Sequence, residues 1–212
     1  MTAAEDLTRE TEALEAALRE RPDDLATVNN LACCRLGLGR VEKALVLLED
    51  AAVRWGGDPC LMNNLGFARL RAGRPASAEA AFRAALALAP GDAETLNNLG
   101  LALAAQERWG ESIACYREAL ETRGGAPALL KADLLNNLGC AYRDLGTLPE
   151  AASAFRKALA LSPGEAGIAN NLGCTQMALG DLEEARLTLA EAARLAPDDE
   201  AIRQNLGRCL EA

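Results

Sequence analysis

The 212-residue sequence contains no histidine, and only 3% of its residues are aromatic. Without histidine, the usual general base of hydrolytic triads and the commonest zinc ligand are both missing. With few rings and half of the residues hydrophobic, the core must be built from Ala and Leu, which suits closely packed helices rather than sheets. Lysine is also scarce: three Lys stand against nineteen Arg, a bias expected of a GC-rich, bacterial genome. No apolar run reaches the roughly 20 residues that a spanning helix needs. The acidic opening Met1-Thr2-Ala3-Ala4-Glu5-Asp6 reads as neither a secretory leader nor a membrane anchor. There is no Cys-x-x-Cys pair, no Walker-type phosphate loop, no Gly-x-Ser-x-Gly elbow and no dinucleotide fingerprint. Nucleophilic and nucleotide chemistry therefore lack their usual parts, and the expectation is a non-catalytic protein without metal or cofactor.

The net charge is −9, and residues 1 to 24 hold eight acidic and three basic side chains, which accounts for −5 of it. A phosphate-binding surface needs clustered Lys and Arg, so nucleic acid and anionic membranes are poor partners. The seven cysteines are an odd number set inside periodic segments, which points to free thiols and a reducing, cytoplasmic setting.

What the sequence does have is a period. Asn-Asn-Leu-Gly or a near variant occurs at Asn29-Asn30-Leu31-Ala32, Asn63 to Gly66, Asn97 to Gly100, Asn136 to Gly139, Asn170 to Gly173 and Gln204-Asn205-Leu206-Gly207. From Leu to Leu the steps are 34, 34, 39, 34 and 34 residues, the length of a helix-turn-helix unit. In the copy from Pro59 to Pro90, a helix carries Asn63-Asn64-Leu65-Gly66, Gly73-Arg74-Pro75 turns the chain, and a second helix carries Ala78, Phe82 and Ala85. Leu65 fills the space between helices, Gly66 and Ala78 are small where helices approach, and Pro75 and Pro90 punctuate helix ends. Ala44, Ala151 and Ala185 repeat the small site, and Leu48, Tyr116, Phe155 and Leu189 the bulky one.

Leu-Gly followed by Gly, Ala, a bulky apolar residue, Ala and Pro at these offsets resembles the tetratricopeptide repeat family over nearly the whole chain. The resemblance implies an all-α, right-handed superhelical solenoid of about five repeats with a half repeat at each end. The expected division is a single domain of 1–212: a leading helix in 1–24, full repeats at 25–58, 59–92, 93–131, 132–165 and 166–199, and a final helix in 200–212. Twelve helices are predicted. Departures from the pattern are Ala32 for Gly, Ser112 at a small-residue site, and Glu107 where a turn Gly is usual. The 39-residue step predicts a break at Thr122-Arg123-Gly124-Gly125 and a long helix after Pro127.

In such arrays the first helices line the concave face. Steps of three and four place on one stripe the first Asn of each pair (Asn29, Asn63, Asn97, Asn136, Asn170), the residue after the quartet (Cys33, Phe67, Leu101, Cys140, Cys174) and a third position (Leu36, Leu70, Ala104, Arg143, Met177). The second amides, Asn30, Asn64, Asn98, Asn137, Asn171 and Asn205, lie about 100° away on the flank. An interior Asn costs a helix about 0.5 kcal/mol against Ala, so something must compensate. An amide has a donor and an acceptor and can match the backbone of another chain. Helices spaced by roughly 10 Å would then meet about every third residue of an extended peptide. This is similar to the asparagine ladders by which some members of the family hold peptides; the alternative is that the amides bridge adjacent repeats. With Phe67, Leu70, Leu36 and Leu101 on the face, the expected partner is an extended, apolar segment of a protein. A carboxylate-terminal peptide fits less well, because the nearby cations are Arg71, Arg143 and Arg208 alone. Alternative readings are a self-assembling scaffold docked through Leu7 and Leu14, or a dedicated bacterial chaperone or assembly factor for secretion or pili. Cys140 and Cys174 should not form a disulfide, since neighbouring helices sit about 8–10 Å apart and a bridge wants Cα atoms within about 7 Å.

Overall fold

The computed structural model describes residues 3–122 and 127–212. Among them are twelve helices and no strand: α1 (Ala3–Glu20), α2 (Leu25–Gly37), α3 (Val41–Trp55), α4 (Pro59–Arg71), α5 (Pro75–Leu88), α6 (Ala93–Ala104), α7 (Trp109–Glu121), α8 (Ala128–Asp144), α9 (Leu148–Leu161), α10 (Ala166–Leu179), α11 (Leu182–Leu195) and α12 (Glu200–Leu210). They gather into two compact units, Met1–Gln106 and Glu107–Ala212. In each unit successive helices pack in antiparallel hairpins, and first helices also touch one another, α2 with α4 and α4 with α6, then α8 with α10 and α10 with α12.

The ends of the helices follow from local chemistry. Asp24, Asp58, Asp92 and Asp199 cap α2, α4, α6 and α12 by accepting from backbone N–H groups of the first turn, Asp58 from Leu61 at 2.7 Å. Pro59 and Pro75 stand at helix starts, where the missing N–H is no loss. The turn inside each repeat needs a left-handed residue, filled by Gly39, Gly73, Gly146 and Gly180 at φ between 70° and 89°. At the same place in the third copy Glu107 takes φ 59°, the one non-glycine residue with positive φ among those described.

Glycine has a different task inside the hairpins. A Cβ on Gly66 would come within 2.6 Å of the Phe82 ring, one on Gly139 within 2.6 Å of Phe155, and one on Gly173 within 2.6 Å of Leu189. The bulky residue of the second helix thus seats on the bare backbone of the first, and Phe82, Phe155 and Leu189 are fully buried. Leu65, Ala68, Ala78, Ala81 and Ala85 complete the layers, as the Ala and Leu composition demands.

Helix α8 runs 17 residues against 14 for α10, the extension that the 39-residue step predicts. Residues 123–125 of the expected break lie outside the described residues. One expectation is corrected. Leu36, placed on the open face by its offset, is 4% exposed and belongs to the core cluster with Val28, Leu48 and Leu65. Leu7 is half-buried. Its methyl groups lie 3.5 and 3.9 Å from where a Cβ on Gly37 would be, so it packs on α2, while Leu18 further along α1 joins the core.

Candidate functional site

The asparagine rows join the repeats to one another. Asn64 Nδ2 donates to Asn29 Oδ1 at 3.0 Å and Asn98 Nδ2 to Asn63 Oδ1 at 3.0 Å. In the second unit Asn171 Nδ2 donates to Asn136 Oδ1 at 3.1 Å and Asn205 Nδ2 to Asn170 Oδ1 at 2.9 Å. Each bond spans 35 residues, from the second Asn of one repeat to the first Asn of the repeat before. The bridging alternative is therefore realised, and it compensates the helix cost of the amides.

The bridges also orient the amides. Once its oxygen accepts from the next repeat, the first Asn turns its Nδ2 away, and Asn29, Asn63, Asn136 and Asn170 give that nitrogen no protein partner among the described residues. Asn63 and Asn64 line an open cleft of about 270 Å³ with Cys60, Glu94 and Thr95. Asn97 and Asn137 are half-buried on α6 and α8, and Asn30 is exposed.

The remaining stripe residues differ between the units. In the first, Phe67, Leu70 and Leu101 are half-buried, and the Arg71 guanidinium lies 5.9 Å from the Phe67 ring centroid. In the second, Cys140 and Cys174 are half-buried and tied to the amides: Asn171 Nδ2 is 3.8 Å from Cys140 Sγ, and Cys174 Sγ is 3.9 Å from Asn170 Oδ1. Burial pushes both thiols up, opposed by the charge of Arg143 at Cys140 and of Arg143 and Arg208 at Cys174. Protonated thiols of this kind are poor nucleophiles. Among the described residues no group of three or more His, Cys, Asp or Glu side chains is placed to hold a metal. No described helix is long and apolar enough to cross a membrane.

A second set of inter-repeat contacts was missed by the sequence reasoning. Arg35 donates from Nη2 to Glu15 of α1 at 2.9 Å and from Nη1 to the Lys43 carbonyl at 3.1 Å. Arg69 repeats the arrangement with Glu49 of α3 at 3.5 Å and the Ser77 carbonyl at 3.4 Å. The signal was present: each Arg follows its Glu by 20 residues, and the two Arg are one period apart. In the second unit the same offset holds Tyr142 and Gln176 instead, and the Gln176 Oε1 is buried without a protein partner.

Family models described as tetratricopeptide repeat match residues 11–59, 59–92, 91–164 and 142–211, covering almost all of the chain. This chain belongs to the tetratricopeptide repeat family. Its members are in general non-catalytic modules that bind protein partners. Among solved structures it is similar to PilF of Pseudomonas aeruginosa, at a TM-score of 0.78 and 21% identity over 88% of this chain and 82% of that one. It is likewise similar to YrrB, a TPR protein with an unusual peptide-binding site, at 0.68 and 21% over 93% and 99%. A thermophilic TPR protein of Thermus thermophilus matches at 0.70 and 23% over 88% and 99%. At these identities the likeness is one of fold. No curated protein sequence matches this tetratricopeptide repeat chain significantly.

Proposed function

We propose that this tetratricopeptide repeat protein holds an extended segment of a partner protein along its first-helix face, with the asparagine rows reading the segment's backbone. The observation that carries the reading is the fixed orientation of the amides. A bridge that uses the oxygen of the first Asn and the nitrogen of the second leaves the Nδ2 of Asn29, Asn63, Asn136 and Asn170 and the Oδ1 of Asn64 and Asn205 available to a guest, while Asn171 Oδ1 is reached by Arg143 at 3.5 Å. An extended chain offers the complementary C=O and N–H groups at every residue. The peptide-binding residues on this reading are Asn29, Asn30, Asn63, Asn64, Phe67, Leu70, Asn97, Asn98, Leu101, Asn136, Asn137, Cys140, Arg143, Asn170, Asn171, Cys174 and Asn205. The half-buried Phe67, Leu70 and Leu101 favour apolar side chains against the first unit. The free thiols fit a reducing compartment, which supports a cytoplasmic encounter.

Asn→Asp substitution tests this without cutting the bridges. In Asn63→Asp with Asn136→Asp a carboxylate oxygen still accepts from Asn98 and Asn171, while the donor toward the guest is replaced by an acceptor. Affinity capture from lysate with both proteins, each checked by circular dichroism, should recover a partner with the wild type that the folded variant loses. Recovery of the same partner by both would reject the ladder reading. Capture of nothing but the chain itself, with mass rising with concentration, would favour the self-assembling scaffold.

A further inference from the structure

The first-helix face of the second unit carries two guanidinium groups. Arg143 on α8 reaches α10, with Nη1 3.5 Å from Asn171 Oδ1, and its Nε lies 3.3 Å from Asp144. Arg208 on α12 occupies the repeat position held by Cys174 on α10 and Cys140 on α8; it is exposed and has no ion-pair partner among the described residues. Helix α10 touches both α8 and α12, so Cys174 lies between the two cations. The influence of both charges on its thiol agrees with that placement. Of the carboxylates nearby, Asp144 is engaged by Arg143, and Glu211, exposed just beyond α12, makes no ion pair. Arg143 is half-buried and engaged by Asn171 and Asp144, whereas Arg208 is exposed and makes no ion pair among the described residues on a protein of net charge −9.

We propose that an Asp or Glu side chain of the bound segment seats over Cys174, bonded by Arg143 and Arg208. The proposal rests on the groove reading above and narrows the partner to an extended segment with an internal acidic residue. The residue is internal because amide bridges lie on both sides of the site, Asn136 with Asn171 and Asn170 with Asn205, so the guest's backbone runs past in both directions. Arginine suits the task, because its planar fork matches a carboxylate.

The test uses the whole chain and a pooled library of peptides about twelve residues long, long enough to cross three helices. All are acetylated and amidated, and the central position is Asp, Glu, Asn or Gln; a second pool has neutral centres and free C-terminal carboxylates. The wild type should enrich acidic over amide centres by about fivefold or more, with added salt reducing the ratio. Arg143→Gln with Arg208→Gln should abolish the enrichment of acidic over amide centres while leaving the helicity unchanged. Acid-centred peptides should also slow alkylation of Cys174. Retention without preference for acidic centres would overturn this inference and leave the groove reading standing. Preference for the free-carboxylate pool would overturn it in favour of a chain terminus. Retention of neither pool would count against both readings.

Discussion

At the scale of single residues, backbone geometry and burial decide where this chain tolerates change. Gly139 lies against the Phe155 ring, which is fully buried and cannot swing away. Gly139→Ala should therefore destabilise the second unit by about 1–3 kcal/mol, the usual cost of overpacking, read as a lower midpoint in urea. Glu107 is the reverse case. Its φ of 59° is one that glycine adopts freely, so Glu107→Gly should raise stability by about 0.5–1 kcal/mol, net of the extra freedom glycine gives the unfolded chain. Tyr116 links packing to pH. Burial pushes its phenol from 10.0 up to about 12, with the Ser112 hydroxyl pulling the other way. The folded state thus favours the neutral phenol, so its contribution is complete below pH 10 and lost as pH rises toward 12. A shift of this size is worth about 2–3 kcal/mol, and Tyr116→Phe should flatten that part of the alkaline fall in unfolding midpoint.

At the scale of helices, the Arg35 and Glu15 pair fastens α1 to the repeat that follows it. Glu15 is nearly half exposed, so the pair contributes no more than about 1 kcal/mol. Arg35→Met should loosen α1 locally: hydrogen exchange in residues 3–20 should quicken while the midpoint of global unfolding changes little. Equal quickening throughout the first unit would show that α1 does not open separately. Most helices were legible in the sequence because Gly, Pro and Asp mark their ends and the Leu-Gly offsets repeat. Leu36 was misplaced because an angular offset alone does not say which neighbour stands opposite. The Arg contacts were missed for a related reason. An Arg at a fixed offset reads as a solvated face until the Glu of the preceding helix is seen across from it. For the amide rows, the sequence left two alternatives of equal chemistry, and the direction of the bonds, later repeat donating to earlier, is set by side-chain torsions that no residue pattern records.

At the scale of the whole molecule, stability in a repeat protein is close to a sum of unit and nearest-neighbour contributions, so the asparagine bridges belong to the neighbour part. Asn171→Leu removes a donor from a half-buried pair and leaves Asn136 Oδ1 without it. It should cost about 1–2 kcal/mol, seen as a lower unfolding midpoint, whereas Asn136→Asp should cost less because acceptance is kept. The periodicity of the sequence gives the order of the helices, and the described helices divide near Gln106, within the single 39-residue step from Leu99 to Leu138.

Because every amide bridge joins the same two positions of consecutive units, the bond does not record which units they are. Excision of residues 166–199, one period from α10 through α11, would bring Asn205 to face Asn136 with the donor and acceptor in the order already used. The array can thus gain or lose a copy by in-frame duplication or deletion and re-form these amide bonds, so that length is a quantity its gene can vary while that one inter-repeat contact is kept.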